Sequence, residues 1–459
     1  MAKKKATKKT AKKKATKKLN KSDKSLLWRS FPKRPPEMIV RDINMKFGNT
    51  GPIIRPANEA WDASDLRRPC GITSLDVALG GGLIAGKVHQ FDGPEGIGKN
   101  YLLYRFFANV QKHYGEDTCL AMACFESFVD KHFAQLCGCK IAMSPYDIEV
   151  SQRARLNRGE ELLTEEEIDE ALSCKDVGAF HIFEGPSEKV LDGIVYAVEA
   201  NAYQLIGVDS WDAMITIQED EKSIEEIPQV ASPATVQTRF SKKVLDAFNP
   251  VFRCPECGFA PLTKRVTSEA KMNFKYVCPT EKGAGGCGWS GDDPAVEVNE
   301  TSVYCIRQVR AKIQTTGKRQ FGRPYEAKGA HSLKHLNHAR VSANPGAFLT
   351  NKSGKKIGKE VNWEVTKAKA GAREGQTGQF VLYFDPLEVD TIGDLFAQAE
   401  IFGVIKKRDG GWYSIPDIDM EDVHGKNSMI DLIEREPDLQ QSISELVYIK
   451  AGLSHVRFR

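Results

Sequence analysis

The 459-residue sequence contains no run of eighteen apolar residues, the length a membrane-crossing helix requires. Its N-terminus also lacks the short apolar block of a secretory signal. Neither a membrane partner nor a secreted protein is expected; the expected compartment is the cytoplasm, nucleoid-associated, or a host's cytoplasm if the chain is phage-encoded. In that setting the eleven cysteines read as thiols and metal ligands, which excludes a disulfide framework. Hydrophobic residues make up 41% and charged residues 27%, so the chain is not wholly disordered, and its length allows two or three domains.

The net charge of +4 conceals an asymmetry. Residues 1–24 hold twelve lysines against a single acid, Asp23, in a near-repeat of Ala-Lys-Lys-Lys-Ala-Thr-Lys-Lys, and the remainder is mildly acidic. Such a segment has nothing to bury and repels itself, so residues 1–35 read as a disordered tail. A lysine run attracts phosphate backbones through counterion release, without reading sequence. Two readings stand: a nucleic-acid tether of linker-histone-like character, or a solvated solubility or targeting tail.

From about residue 36 strands and helices alternate, which predicts an α/β fold with a mostly parallel sheet. Val88–Phe91 leads into Gly93-Pro94-Glu95-Gly96-Ile97-Gly98-Lys99-Asn100, and residues 99–113 then have helical periodicity. Glycines at this spacing let successive backbone N–H groups close around a phosphate at a helix N-terminus, with Lys99 reaching the outer phosphates. The motif ordinarily ends in Ser or Thr, whose hydroxyl binds Mg²⁺; here Asn100 offers an amide oxygen and Tyr101 follows. Thr118–Phe125 and Leu205–Val208 read as further buried strands, the latter delivering Asp209 to the sheet edge where ligands of open α/β folds bind. Val303–Ile306 is another, ending in Arg307 and Gln308. Between 145 and 178 a polar insertion carries a capping box, Thr164 to Glu167.

Gly71-Ile72-Thr73-Ser74-Leu75-Asp76 through Gly80-Gly81-Gly82-Leu83, with the GPEGIGK loop, resembles the ATP-binding core of RecA-family recombinases. The similarity continues in order over about three-quarters of the chain. Lys46 to Arg55, within residues 36–70, resembles the family's segment that docks on a neighbouring subunit, implying a helical filament. Residues 71–250 and 299–385 would be the two parts of a RecA-like P-loop ATPase core, and 386–459 a small α+β C-terminal DNA-binding lobe.

The resemblance implies roles residue by residue. Glu126, after the strand ending at Phe125, would activate the water attacking the γ-phosphate. Asp209 and Asn100 would hold Mg²⁺. Asp130, Phe133 and Tyr383 match adenine contacts, although Phe133 serves equally well as a core residue. Gln308 would sense the γ-phosphate and pass that state to the basic loop 311–329. That loop carries Lys312, Lys318, Arg319, Arg323 and Lys328, following Arg310, and suits single-strand backbone binding. The other expected DNA loop, within 217–233, is acidic, but Arg239 on the next helix matches a DNA-proximal position. Lys367 and Lys369 would reach the neighbour's ATP and act in trans as arginine fingers do.

Residues 251–298 interrupt this pattern. Cys254-Pro255-Glu256-Cys257-Gly258 is a CPxCG knuckle, while Cys278 and Cys287 form an irregular second half. Four thiolates predict a structural Zn²⁺ ribbon, reduced core thiols being the alternative. DNA, a partner protein and the next subunit are equally open as its contacts.

The resemblance therefore implies an ATP-dependent recombinase, a DNA-dependent ATPase that coats single-stranded DNA and pairs it with homologous double-stranded DNA. Single-strand-binding or mediator proteins would be accessory partners. A ring-forming DNA motor and a weakly hydrolysing DNA-coating scaffold are the alternatives, the latter motivated by Asn100 and the lysine tail.

Overall fold

The computed structural model describes residues 38, 65–126, 129–173, 178–221, 232–268, 273–280, 285–311, 325–327, 336–369, 371–454 and 457–458. Among them the chain divides into two compact units. Residues 264–268 and 273–276 belong to the smaller, where the Lys264 ammonium lies 5.4 Å from the Tyr276 ring centroid. The larger unit contains the candidate site.

Among the described residues its centre is a ten-stranded sheet. In chain order the principal strands are β1 (Val88–Gly93), β2 (Cys119–Cys124), β3 (Ala179–Phe183), β4 (Leu205–Asp209), β5 (Ser302–Ala311), β6 (Ala339–Thr350), β7 (Lys356–Lys367), β8 (Thr377–Phe384) and β9 (Leu387–Val389). They lie side by side in the order β9-β8-β7-β6-β1-β5-β4-β2-β3, and Tyr325–Ala327 pairs with β5. The pairings from β6 through β1, β5, β4 and β2 to β3 are parallel; those from β6 out to β9 are antiparallel.

The side-chain period of two explains why these runs are strands buried on both faces. Leu120 and Met122 enter one apolar cluster, with Phe91, Leu205, Tyr304 and Ile306. Ala121 and Ala123 enter the other, with Val88, Ile206, Val208, Val303 and Cys305. Helix α1 (Lys99–Tyr114) covers the first face through Leu102, Leu103, Phe106 and Phe107. Helices α2 (Ser187–Glu199) and α3 (Ser232–Ala247) cover the second through residues such as Ile194, Val198, Phe240 and Val244. At Gly207 a Cβ would lie 2.8 Å from Leu103 and 3.0 Å from Phe107, so the missing side chain is what lets α1 approach the sheet this closely.

The parallel register sets the functional edge. Gly93 lies opposite Gln308 and Cys124 opposite Asp209, so the C-terminal ends of β1, β5, β4 and β2 emerge together. Strand β5 is longer than its apolar run of Val303–Ile306 predicts, continuing to Ala311.

The segment between 145 and 178 contains helices over Pro145–Arg158 and Glu165–Ser173. The second begins as its sequence predicts: the Glu167 amide donates to Thr164 Oγ1 at 3.2 Å and the Thr164 amide to Glu167 Oε2 at 2.8 Å. At the C-terminal end, helices over Thr391–Ile401, Lys426–Arg435 and Pro437–Lys450 enclose a separate core of Phe396, Met429, Ile433, Ile443 and Val447. Val77 packs into this core, and the Ser74 amide donates to Asp394 at 2.8 Å. No helix among the described residues is long and apolar enough to cross a membrane.

Candidate functional site

The turn joining β1 to α1 is held by its glycines. Gly96 and Gly98 have φ of 69° and 96°, the left-handed region that side chains disfavour. A Cβ on Gly98 would also press on Leu382 of β8 at 3.3 Å. Lys99 opens α1, is largely buried, and donates from Nζ to the Pro94 carbonyl at 2.8 Å. Burial depresses its pKa, and nearby Asp209 and Glu126 oppose that shift.

Two further pairs complete the cluster. Asn100 Nδ2 donates to Asp209 Oδ2 at 2.6 Å, and Gln308 Nε2 donates to Glu126 Oε1 at 2.6 Å. Burial raises the Asp209 pKa and the Asn100 hydrogen bond lowers it; the Glu126 charge pushes it up again. Five residues from four strand ends or turns thus converge: Lys99, Asn100, Glu126, Asp209 and Gln308. Together they present an ammonium, two carboxylates and two amides beside a turn rich in backbone N–H groups, a set suited to a polyphosphate with its cation.

The other expected site residues are distributed differently. Asp130 caps the helix Lys131–Leu136, accepting the Phe133 amide at 2.9 Å. Phe133 is half-buried and meets Tyr104 edge-on at 5.8 Å between centroids. Tyr101 is buried, its hydroxyl accepting the Val389 amide at 3.0 Å. Tyr383 is half-buried on β8, opposite Gly358. Arg239 is exposed on α3; Lys367 is half-buried at the end of β7, and Lys369 is exposed just beyond. Lys312, Lys318, Arg319, Arg323 and Lys328 lie outside the described residues, as do the lysine tail and the segment 46–55; of Arg310 only the backbone in β5 is described.

The structure also assembles groups that no motif announces. Arg307, 1% exposed, pairs with Asp212 at 2.8 Å, and Asp212 Oδ2 accepts the Gln308 amide at 3.1 Å. Burial pushes the Asp212 carboxyl up and the Arg307 charge pulls it back. One carboxylate thereby ties the turn after Asp209 to the end of β5. At the root of the glycine turn, fully buried Asp92 pairs with Arg340 and accepts from Gln90. On β7, Lys359 donates from Nζ to the Gly96 carbonyl. A sequence signal existed only for Arg307, whose place beside Gln308 marks the strand end.

The cysteine insert stands on a two-stranded stem, Val251–Arg253 antiparallel to Ala295–Glu297, near the start of β5 and thus at the opposite sheet edge. Arg253 pairs with Glu297 and donates to the Ala200 carbonyl at 3.1 Å, and Asn299 donates to the Val198 carbonyl at 2.6 Å. These bonds fix the stem to the end of α2. The Sγ atoms of Cys254, Cys257, Cys278 and Cys287 all lie within 4.8 Å of one another. Two pairs are 3.5 and 3.6 Å apart, near the roughly 3.8 Å that tetrahedral Zn–S bonds of about 2.3 Å imply. The irregular spacing of the second half is therefore no obstacle, because the fold and not the interval brings Cys278 to Cys287. The Cys287 amide donates to Cys278 Sγ at 3.3 Å, further orienting that thiol.

No family model matches the chain. It is nevertheless similar to curated RecA proteins along almost its whole length. It is 24% identical to Protein RecA of Thermus thermophilus over 417 residues, covering 91% of this chain and 94% of that one. With Protein RecA of Nostoc sp. it shares 24% over 414 residues (89% and 87%), and with that of Oleidesulfovibrio alaskensis 22% over 412 (90% of each). Weak in identity but full-length, and found in several species, these similarities, with the mostly parallel α/β sheet, support a relationship to the RecA family.

Proposed function

We propose that this chain is an ATP-dependent DNA recombinase that forms helical filaments on single-stranded DNA and exchanges strands with a homologous duplex. The observation that carries the reading is the convergence of Lys99, Asn100, Glu126, Asp209 and Gln308 at one sheet edge, in a chain similar to RecA proteins over nine-tenths of its length.

The turn Gly93–Lys99 binds the phosphates of ATP. Lys99 exchanges the Pro94 carbonyl for outer phosphate oxygens, which as charged acceptors bind an ammonium more strongly. The oxygens of Asn100 and Asp209 suit Mg²⁺, and the two side chains are already in contact. The ion supplies charge neutralisation on the phosphates. Glu126 positions and deprotonates the attacking water. Its bond to Gln308 makes the two groups exchange partners: when Gln308 donates to a γ-phosphate oxygen, Glu126 is released to accept the water's proton. Because Gln308 lies on β5, which continues to Ala311 at the start of the basic loop, the same movement reports nucleotide state to DNA.

Adenine would lie near Asp130, Phe133 and Tyr383, and Lys367 and Lys369 would serve the neighbouring protomer's site. Arg239, Arg310 and the loop lysines and arginines would bind the DNA backbone, with the lysine tail as an added tether. The four cysteines fit Zn²⁺, which would hold the insert together. The protein would work in the cytoplasm.

The test is ATP turnover by the full chain with and without single-stranded DNA, with negative-stain images of the same samples. DNA-stimulated hydrolysis and helical filaments are expected. Closed rings would favour a motor, and binding without turnover a scaffold. Lys99→Ala should abolish ATP-dependent filaments; unchanged filaments would overturn the assignment of the turn.

A further inference from the structure

The glycine turn is gripped by two lysines. One, Lys99, belongs to the turn and donates to the Pro94 carbonyl. The other, Lys359, comes from far along the chain and donates to the Gly96 carbonyl. Its route to the turn is structural: β7 pairs with β8, placing Lys359 opposite Leu382, whose side chain packs against Gly98. The β7–β8 pair thus delivers an ammonium and a leucine onto the same turn.

A backbone carbonyl is a neutral partner for an ammonium, whereas a phosphate oxygen carries the opposite charge and adds direct Coulomb attraction to the hydrogen bond. Lys359 is half-buried, so its charge is less screened than a surface lysine's, and desolvation depresses its pKa. We propose that Lys359 is a phosphate-binding residue acting in cis, leaving the Gly96 carbonyl to contact the polyphosphate of the nucleotide held by its own turn. This rests on the nucleotide reading of the site. It adds a cation from the protomer's own chain to the two, Lys367 and Lys369, assigned to the neighbour. Lys359 and Lys367 both lie on β7, roughly 26 Å apart at the usual strand rise of about 3.3 Å. One strand would therefore touch two nucleotides, its own at one end and the next protomer's at the other.

The test is equilibrium binding of ATP, ADP, AMP and adenosine to the full chain and to Lys359→Gln and Lys359→Arg. A lost charge-assisted contact should weaken ATP roughly ten- to hundredfold in the Gln variant, ADP less, and adenosine not at all. The Arg variant should keep most of the ATP affinity. In parallel, amine acetylation of the wild-type chain followed by mass spectrometry should show Lys359 protected by ATP but not by adenosine, a readout that does not depend on a variant folding. Equal weakening down to adenosine would mean that Lys359 only clamps the loop, and unchanged affinity or unchanged acetylation would likewise overturn the proposal. A wild-type chain with no saturable binding of ATP would instead sink the nucleotide reading of the whole site.

Discussion

Replacing Asp212 with Ala should destabilise the protein far more than its position near the surface suggests. Its partner Arg307 is 1% exposed and cannot turn to water when the carboxylate is removed. At the observed 2.8 Å and an effective dielectric constant of about 20, the lost Coulomb attraction is about 6 kcal/mol. Part of this already offsets the desolvation of both groups, so the expected cost is the roughly 3–5 kcal/mol of a stranded buried charge. The Gln308 amide loses its acceptor in the same change. Arg307→Met should cost less, because Asp212 is 19% exposed and can be hydrated. Replacing both partners, Asp212→Leu with Arg307→Met, should return stability to within about 2 kcal/mol of wild type, since no unpaired charge remains. Urea unfolding followed by circular dichroism measures all three. If Asp212→Ala shifts stability by under about 1 kcal/mol, or the double variant is worse than either single one, the pair is not the buried clamp described here. A functional readout accompanies it: the double variant should fold, yet couple DNA binding to ATP poorly, because Gln308 has lost its backbone anchor.

Three other outcomes are expected. Purified chain should contain about one zinc, and Cys257→Ser with Cys287→Ser should lose it; a chain that holds no zinc by elemental analysis would leave the cysteines as reduced thiols. Burial depresses His89 to about 3 and His338 to about 4, with neighbouring cations adding to both shifts. Both imidazoles are then neutral in the fold but protonated in the unfolded chain below about pH 6.5, so their contribution is complete above that pH and is lost as pH falls towards 4. Melting temperatures for His338→Gln should fall less steeply over this range than for wild type, and parallel curves would refute the assignment. Finally, removing residues 1–24 should lower the salt slope of single-strand binding by roughly 0.7 for each phosphate that its lysines neutralise. An unchanged slope would place the tail outside the DNA interface.

Much of the candidate site was legible in the sequence because its members sit at strand ends and because the resemblance to RecA-family recombinases singled out Glu126 and Gln308 among those ends. An apolar run that stops at Asp209, Glu126 or Gln308 marks both a strand and its edge, and parallel order brings such edges together. The glycine turn was legible for a similar reason, since Gly93, Gly96 and Gly98 lie within six residues of one another and specify a local backbone path. Asp130 shows the limit of this approach. A motif match suggested contact with adenine, while the structure also gives its carboxylate a local task, capping the helix that carries Phe133.

What the chain alone determined is therefore local: the apolar runs of the strands, the turn that precedes α1, the capping box at Thr164, and the paired cysteines of the first knuckle. Periodicity and short-range hydrogen bonding decide these, and both are written in consecutive residues. Only the tertiary structure decided which distant groups share a site. Lys359 reaches Gly96 because β7 and β8 fold over the turn, and Asp212 meets Arg307 because β4 and β5 are neighbours. Strand order and register set those encounters, and they depend on how two apolar faces are covered across the whole sheet, a property that no single stretch of sequence contains.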